Sequence, residues 1–313
     1  MSKGESKTQI FPATLVSLAA TLWAVDGIVL RPYLYNLPVP LVVFIETTIV
    51  ASILTPFFYR NFSTINNLHY KDWIAFAGVA FFGGALGTMA ITRALFFVNY
   101  VNLSIVIFIQ KLQPVFAISL AAIILKEKLT KEFILWASLA IAGAYIITFG
   151  FNLPLINTGD KTAIAALFAL IAAFSFGFST VLSKRALRNI GFQLGTYLRF
   201  SITAVIMLII VLITQDFNSF SNISSTQFWV FLIIAFSTGG PAIFLYYYGL
   251  KKISASVATI CELAFPLSAV ILEYFVHGKI LSPVQWIGAV ILLFSIIKVS
   301  GIEIPSLFNS DDK

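Results

Sequence analysis

Apolar runs of about 20 residues recur along this chain from one end to the other. A helix of that length rises about 1.5 Å per residue and so crosses the ~30 Å hydrocarbon core of a bilayer. Of the 313 residues, 59% are hydrophobic and only 11% are charged. Soluble domains contain about 25% charged residues. The chain is therefore predicted to be an all-α polytopic membrane protein.

Hydropathy and helix-breaking residues together predict ten spans. The predicted spans are 10–31, 38–59, 72–97, 101–125, 132–150, 162–183, 193–214, 227–250, 254–276 and 283–300. Capping residues support two of the edges, because Thr130 precedes the fifth span and Ser282-Pro283 opens the tenth. The first span contains Asp26 and is longer than the apolar part of a signal peptide, so we interpret it as retained.

The basic residues predict the orientation of the chain. With the N-terminus inside, 14 Lys and Arg residues fall in inner loops and tails, three in outer loops and three within spans. The outer three are Arg31, Lys161 and Lys279. Such an excess is typical of cytoplasmic loops. Both termini are therefore expected on the cytoplasmic side of the cell inner membrane, and the net charge of +7 reflects topology rather than nucleic-acid binding.

The two halves of the chain resemble each other at several positions. The matched pairs are Glu46 with Arg199, Gly83-Gly84 with Gly239-Gly240, and Pro114 with Pro266. Five spans per half is an odd number, so the second copy must be inverted in the membrane. We predict a first repeat at 10–150, an inverted second repeat at 162–300, a linker at 151–161, and cytoplasmic tails at 1–9 and 301–313.

Each half also carries a mid-span proline followed by a short turn. In the first half this turn reads Leu125-Lys126-Glu127-Lys128-Leu129-Thr130. From Pro12 to Ser300 the chain resembles the EamA family of the drug/metabolite transporter superfamily. Both copies depart from the family's Gly-Glu turn, because the first reads Lys126-Glu127 and the second reads Gly278-Lys279, with lysine in place of the acid. We assign no function to the turn itself.

The resemblance implies a transporter whose first, third and fourth spans and their mates line a central cavity. Inverted repeats are themselves the architecture of many secondary transporters, which bind substrate near the midplane between the repeats. We expect alternating-access transport of a small polar or zwitterionic metabolite, with an amino acid and export favoured. The alternatives are a multidrug or lipid-linked substrate exporter or flippase and, more remotely, a membrane-embedded enzyme.

Lys111 and Glu262 lie near the predicted midplane, shortly before the matched prolines Pro114 and Pro266. A charge at the centre of a span costs about 2.5–3.5 kcal/mol on insertion scales, so these side chains should face an interior or each other. They could bind the carboxylate and ammonium of a substrate. The alternatives are a fixed ion pair or a lysine that reaches towards the membrane surface.

Four further charged residues within the spans are candidates for gating or coupling. Asp26, Glu46 and Arg93 fall in the outer halves of their spans and suggest an outer gate. Arg199, the mate of Glu46, falls in the inner half, as inversion requires. Arg93 could instead simply reach the lipid headgroups. Proton coupling through Asp26, Glu46 or Glu262 is an open alternative to transport down the substrate's own gradient.

Polar and aromatic side chains complete the predicted substrate site. They are Trp23, Gln110, Gln113, Tyr197 and Tyr247, which join Lys111 and Glu262. Small-molecule sites combine apolar area with a few hydrogen-bonding groups in this way. Tyr and Trp are also common at membrane interfaces, and that interpretation stays open for the tyrosines.

Few residues are available for an enzyme or a metal centre. The chain has one cysteine and two histidines, and no Asp-rich box or Gly-x-Ser-x-Gly motif occurs. We therefore expect no catalytic activity, metal or cofactor. The expected partners are a small-molecule substrate and the lipid bilayer, with the protein a monomer or a homodimer.

Overall fold

A computed structural model describes residues 3–58, 65, 68–97, 103–153, 160–278, 280–302 and 304. Within them the chain is helical without strands, and ten helices are long and apolar enough to cross a membrane. They are Gln9–Leu34, Val39–Phe58, Tyr70–Phe96, Val106–Leu125, Lys131–Phe149, Ala163–Ala186, Phe192–Thr214, Ser225–Lys252, Ala255–Val276 and Pro283–Ser300. The ten predicted spans are confirmed. Residues 154–159 of the predicted linker and Lys279 lie outside the described residues, as do residues 1–2, 303 and 305–313 of the predicted tails.

Contacts between the spans repeat when the two halves are exchanged. The first span packs against the eighth and ninth, and its mate, the sixth, packs against the third and fourth. The second span packs against the seventh, and the fifth against the tenth, so each of these pairs maps onto itself. A pseudo-two-fold axis therefore relates the repeats, and with five spans per repeat the second copy is inverted.

The fourth and ninth spans are both interrupted near their middles. The fourth consists of Leu103–Gln110 and Gln113–Leu120 followed by a π-helical turn, and the ninth of Ala255–Cys261 and Ala264–His277. Leu112 (φ −77°, ψ −2°) and Leu263 (φ −68°, ψ −2°) have nearly the same conformation at the two breaks. Pro114 and Pro266 have no N–H to donate to the preceding turn, which explains both interruptions.

Three other spans also deviate from regular α-helix, and two of them do so at matched places. The third span contains a π-helical segment at Ala80–Leu86, and its mate, the eighth, contains one at Ala235–Gly239. The first span ends its α-helix at Val25 and continues as a π-helical segment, Asp26–Leu30, and a 3-10 turn, Arg31–Leu34. Such segments are common at functional sites in membrane and soluble proteins alike.

The turn after the fourth span is tied to the opposite half of the protein. Glu127 is buried, and its carboxylate accepts hydrogen bonds from the backbone N–H groups of Ala255 (2.8 Å) and Ser256 (3.1 Å) and from the Ser256 hydroxyl. An acidic group at a helix N-terminus satisfies free N–H donors and complements the helix dipole. The acid in this turn therefore fixes the start of the ninth span.

The predicted caps are also present. Thr130 accepts a hydrogen bond from the backbone N–H of Phe133 at 3.1 Å, and Ser282 forms a reciprocal capping box with Gln285. The fifth and tenth spans that begin there pack closely through Gly143 and Gly288. A Cβ at Gly288 would lie 2.7 Å from the backbone nitrogen of Ile147, so only glycine permits this approach.

Replacing Gly288 with valine should therefore separate the fifth and tenth spans. We expect a loss of stability of about 1–3 kcal/mol, as for overpacked cores, measured as a lower midpoint of thermal unfolding in detergent. Val290→Leu is the matched control, because Val290 lies on the same helix and is 64% exposed. Equal midpoints for the two variants would contradict this packing.

Candidate substrate-binding cavity

A cavity of about 260 Å³ lies between the two halves. Its described lining residues come from the first four spans and from the sixth to the ninth. The first, third and fourth spans and their mates thus contribute, as the family resemblance implies. The second and seventh spans contribute as well, because they pack against each other on the pseudo-two-fold axis.

Glu262 is the centre of a hydrogen-bonded network at the break in the ninth span. Its carboxylate accepts hydrogen bonds from the Gln113 amide (2.6 Å) and from the Tyr246 hydroxyl (2.8 Å). The Thr180 hydroxyl lies 2.8 Å from the Tyr246 oxygen and extends the network to the sixth span. Gln110, one turn before Gln113, is buried and also lines the cavity. Five polar side chains from four spans therefore line this part of the cavity.

Lys111 faces the same cavity but forms no direct ion pair with Glu262. Its ammonium lies 3.7 Å from the centre of the Phe265 ring, a cation–π contact. The described ion pairs within 4.0 Å are both made by Arg31. The structure therefore does not show the fixed Lys111–Glu262 pair that was one alternative. It also turns Lys111 to the interior rather than to the membrane surface.

Aromatic rings form part of the cavity wall beside this network. The rings of Trp23 and Tyr246 lie 5.3 Å apart at an angle of 57°. Phe176, Phe200 and Phe265 also line the cavity. The sequence analysis singled out Trp23 but not the three phenylalanines, which are hard to distinguish among 31 in the chain. A signal existed for Phe176, which stands at the repeat offset from Trp23, the same offset that relates Glu46 to Arg199.

Arg31 lies at another part of the wall, between two acidic residues. Its guanidinium donates to Asp26 Oδ2 at 2.6 Å and to Glu46 Oε2 at 3.2 Å. A third hydrogen bond reaches the Thr92 hydroxyl at 3.3 Å. We call Asp26, Arg31 and Glu46 the outer cluster, after the predicted outer halves of their spans. Arg31 is only 7% exposed, so its assignment to an outer loop is wrong.

The first span continues as π-helical and 3-10 turns beyond the predicted end at residue 31, and this extension carries Arg31 inwards. Arg93, which was grouped with Asp26 and Glu46, lies elsewhere. It is exposed, and its guanidinium carbon lies 5.6 Å from the centre of the Phe97 ring. The cation beside the two acids is therefore Arg31, and the placement of Arg93 fits the alternative of a residue near the membrane surface.

Arg199 lines the cavity and is held by neutral groups. It donates to the Tyr247 hydroxyl at 3.3 Å and to the carbonyl of Gly83 at 3.1 Å, within the π-helical segment of the third span. Tyr247 is fully buried behind Arg199 and contacts the Ser183 hydroxyl at 3.0 Å. Tyr197 lies further away, stacked on Phe58. Neither tyrosine lines the cavity in this conformation.

Charges around the cavity balance. The described lining residues include three acids and three bases. They are Asp26, Glu46, Glu262, Arg31, Lys111 and Arg199. Among the described residues no group of three or more His, Cys, Asp or Glu side chains could hold a metal ion. The site therefore combines aromatic faces, amides and balanced charges in an otherwise apolar protein.

The sequence model of the EamA-like transporter family matches this chain twice, at residues 10–149 and 163–301. The chain belongs to the EamA-like transporter family. The resemblance seen in the sequence is thereby confirmed, and the two matches coincide with the two five-span halves. The chain is a multi-pass membrane transporter rather than an enzyme.

This EamA-like protein has a relative of nearly equal length. This relative is the riboflavin transporter ImpX of Fusobacterium nucleatum, and the two sequences are 46% identical over 92% of this chain and 97% of the relative. An uncharacterized transporter of Synechocystis is 26% identical over 74% of this chain and 67% of the relative. A solved crystal structure shares the fold with a TM-score of 0.70 at 15% identity, over 91% of this chain and 95% of the other.

Removing the Arg31 charge should destabilise this EamA-like transporter more than removing the Arg93 charge. Arg31→Gln leaves two buried carboxylates without their cation, a change that typically costs about 3–5 kcal/mol. Arg93→Gln removes an exposed charge and should have little effect. The readout is thermal unfolding in detergent. The double variant Arg31→Gln/Glu46→Gln should recover part of the loss, and similar midpoints for all three variants would refute the cluster.

Proposed function

We propose that this transporter moves riboflavin across the cytoplasmic membrane by alternating access. The observation that carries the proposal is the 46% identity, over almost the whole of both chains, to a protein named as a riboflavin transporter. Identity at this level over full length favours a shared substrate more strongly than membership of the family does.

The chemistry of the cavity supports a flavin as substrate. Riboflavin joins a flat, fused aromatic ring, whose polar edge carries carbonyl and N–H groups, to an uncharged chain of hydroxyl groups. Trp23 and Tyr246 offer aromatic faces, and Gln110 offers an amide that pairs with such an edge. The equal numbers of acids and bases around the cavity suit an uncharged ligand, because no excess charge is left to be neutralised.

An amino acid, the substrate expected from the sequence, has weaker support. That expectation depended on Lys111 and Glu262 binding a carboxylate and an ammonium group. Glu262 already accepts two hydrogen bonds from neighbouring side chains, and Lys111 contacts a phenylalanine ring. Both groups are thus partly engaged within the protein. Amino acids and apolar cations therefore belong among the competitors in the transport assay.

For the transport cycle, we propose that the outer cluster closes one end of the cavity. Its ion pairs join the first span to the second, and the Thr92 contact adds the third. On the other side of the pseudo-two-fold axis, Arg199 and Tyr247 join the seventh span to the third and eighth. To open the cavity at one end, the contacts of the outer cluster must separate. To open it at the other end, the contacts of Arg199 must separate.

We further propose that both termini face the cytoplasm and that the inner membrane is the site of action. The excess of basic residues in the predicted inner loops supports this orientation. Single cysteines introduced at the two ends of a Cys261→Ser background should react with a membrane-impermeant thiol reagent only after the cells are opened. Labelling of intact cells would reverse the assigned orientation.

Transport itself is tested with purified protein in vesicles. Saturable entry of riboflavin, measured by its fluorescence and competed by excess riboflavin but not by amino acids or apolar cations, is the expected result. Loading the vesicles instead and measuring efflux gives the direction, and an imposed pH gradient tests proton coupling. Flux equal to that of protein-free vesicles would overturn the proposed function.

Trp23 should contribute directly to flavin affinity. Stacking of a ring on an aromatic side chain is worth about 1–3 kcal/mol, so Trp23→Ala should raise the riboflavin Kd by about five- to 150-fold. Quenching of flavin fluorescence on binding provides the measurement. Trp286→Ala is the matched control, because Trp286 is 58% exposed on the tenth span, which does not line the cavity. Equal Kd values for both variants would exclude Trp23 from the site.

A further inference from the structure

The outer cluster contains two acids and one base, so it has one carboxylate more than its single guanidinium can neutralise, at a buried position. From this geometry, and on the basis of the proposed function, we infer that Asp26 and Glu46 bind the hydroxyl chain of the flavin. The aromatic residues beside Glu262 then hold the fused ring. The cavity would thus consist of an aromatic part and a polyol-binding part, and the carboxylates would select for the chain.

Each acid of the outer cluster retains a free oxygen. Arg31 donates to Asp26 Oδ2 and Glu46 Oε2, whereas Asp26 Oδ1 and Glu46 Oε1 are buried and accept no hydrogen bond from the described residues. Glu46 is 8% exposed, and both acids line the cavity. A buried acceptor without a donor costs about 1–3 kcal/mol, and more when it is charged. A ligand that brings donors to this place relieves that cost.

Hydroxyl groups are donors of the right kind for two carboxylate oxygens. A hydrogen bond from a neutral hydroxyl to an ionised acceptor is roughly twice as strong as one between neutral groups. The fused ring has little to offer here, because its donors and acceptors are confined to one edge. The ribityl chain, in contrast, presents hydroxyls in succession and can reach both acids at once.

The positions of the two parts match a ligand made of a ring and a chain. Asp26 follows Trp23 by three residues on the first span, which corresponds to about 5 Å along the helix axis. Glu46 reaches the same guanidinium from the second span. A ring placed against Trp23 and Tyr246 would therefore have its attached chain within a turn of the outer cluster.

The charge balance of the cluster makes the acids suitable for mutation. In Glu46→Gln or Asp26→Asn, the remaining acid still pairs with Arg31, so no buried charge loses its partner. These variants should fold, and thermal unfolding checks this. Asp72→Asn is the control: Asp72 is half-buried, accepts a hydrogen bond from Asn189 and lies outside the cavity.

The test compares two ligands that share the ring. Riboflavin carries the hydroxyl chain, whereas lumiflavin has a methyl group in its place. Kd values for both are measured by flavin fluorescence on purified wild-type protein and on the three variants. We expect the wild type and Asp72→Asn to prefer riboflavin. Glu46→Gln and Asp26→Asn should each weaken riboflavin binding about tenfold and leave lumiflavin binding unchanged.

Other outcomes separate the two proposals. A wild-type protein that binds neither ligand overturns the proposed function and this inference with it. A wild-type protein that binds both equally leaves riboflavin as substrate and overturns the inference alone. The inference also fails if both ligands weaken together in the variants, or if the variants change only the response of transport to a pH gradient, which would make the acids a proton site.

Discussion

Charged side chains inside an apolar helix bundle must find partners, and this constraint determines how the protein is built. Arg31 illustrates it most clearly, because a guanidinium that is 7% exposed is held by carboxylates from two different spans. Removing each ion from water costs several kcal/mol, which only close contacts of this kind offset. The first and second spans are therefore joined at one point of the cavity wall by electrostatics rather than by apolar packing.

Several of the spans that line the cavity are irregular, and two pairs of them are irregular at matched places. The breaks before Pro114 and Pro266 bring Lys111 and Glu262 to corresponding positions in the two repeats, and Glu262 then organises side chains from three other spans. The carbonyl of Gly83, within the π-helical segment of the third span, accepts hydrogen bonds from Arg199 and from the Thr88 hydroxyl. Irregular backbone at membrane depth is tolerated where it is buried in protein or lines a cavity.

Hydropathy was sufficient to predict the fold, because each span must be apolar over a length set by the bilayer. The matched prolines, which the sequence showed only as a sign of the repeat, lie where the fourth and ninth spans are interrupted. Placement of the charges was harder. Arg31 stands next to Pro32, where a span normally ends. In the structure the first span continues there as a π-helical segment and a 3-10 turn, and the Arg31 side chain is buried. The sequence places Tyr247 and Arg93 within spans. It does not show which side of its helix each occupies, because that depends on packing between distant parts of the chain.

The contact made by Glu127 has a consequence for the energetics of the two halves. The first helical piece of the ninth span, Ala255–Cys261, is too short to be stable alone, and a carboxylate from the opposite repeat holds its beginning. At the corresponding turn of the second repeat the sequence has Lys279 instead of an acid. A lysine cannot cap a helix N-terminus in this way, so the pseudo-symmetric halves are chemically unequal. In the alternating-access cycle proposed above, the two orientations of the empty carrier would therefore differ in energy.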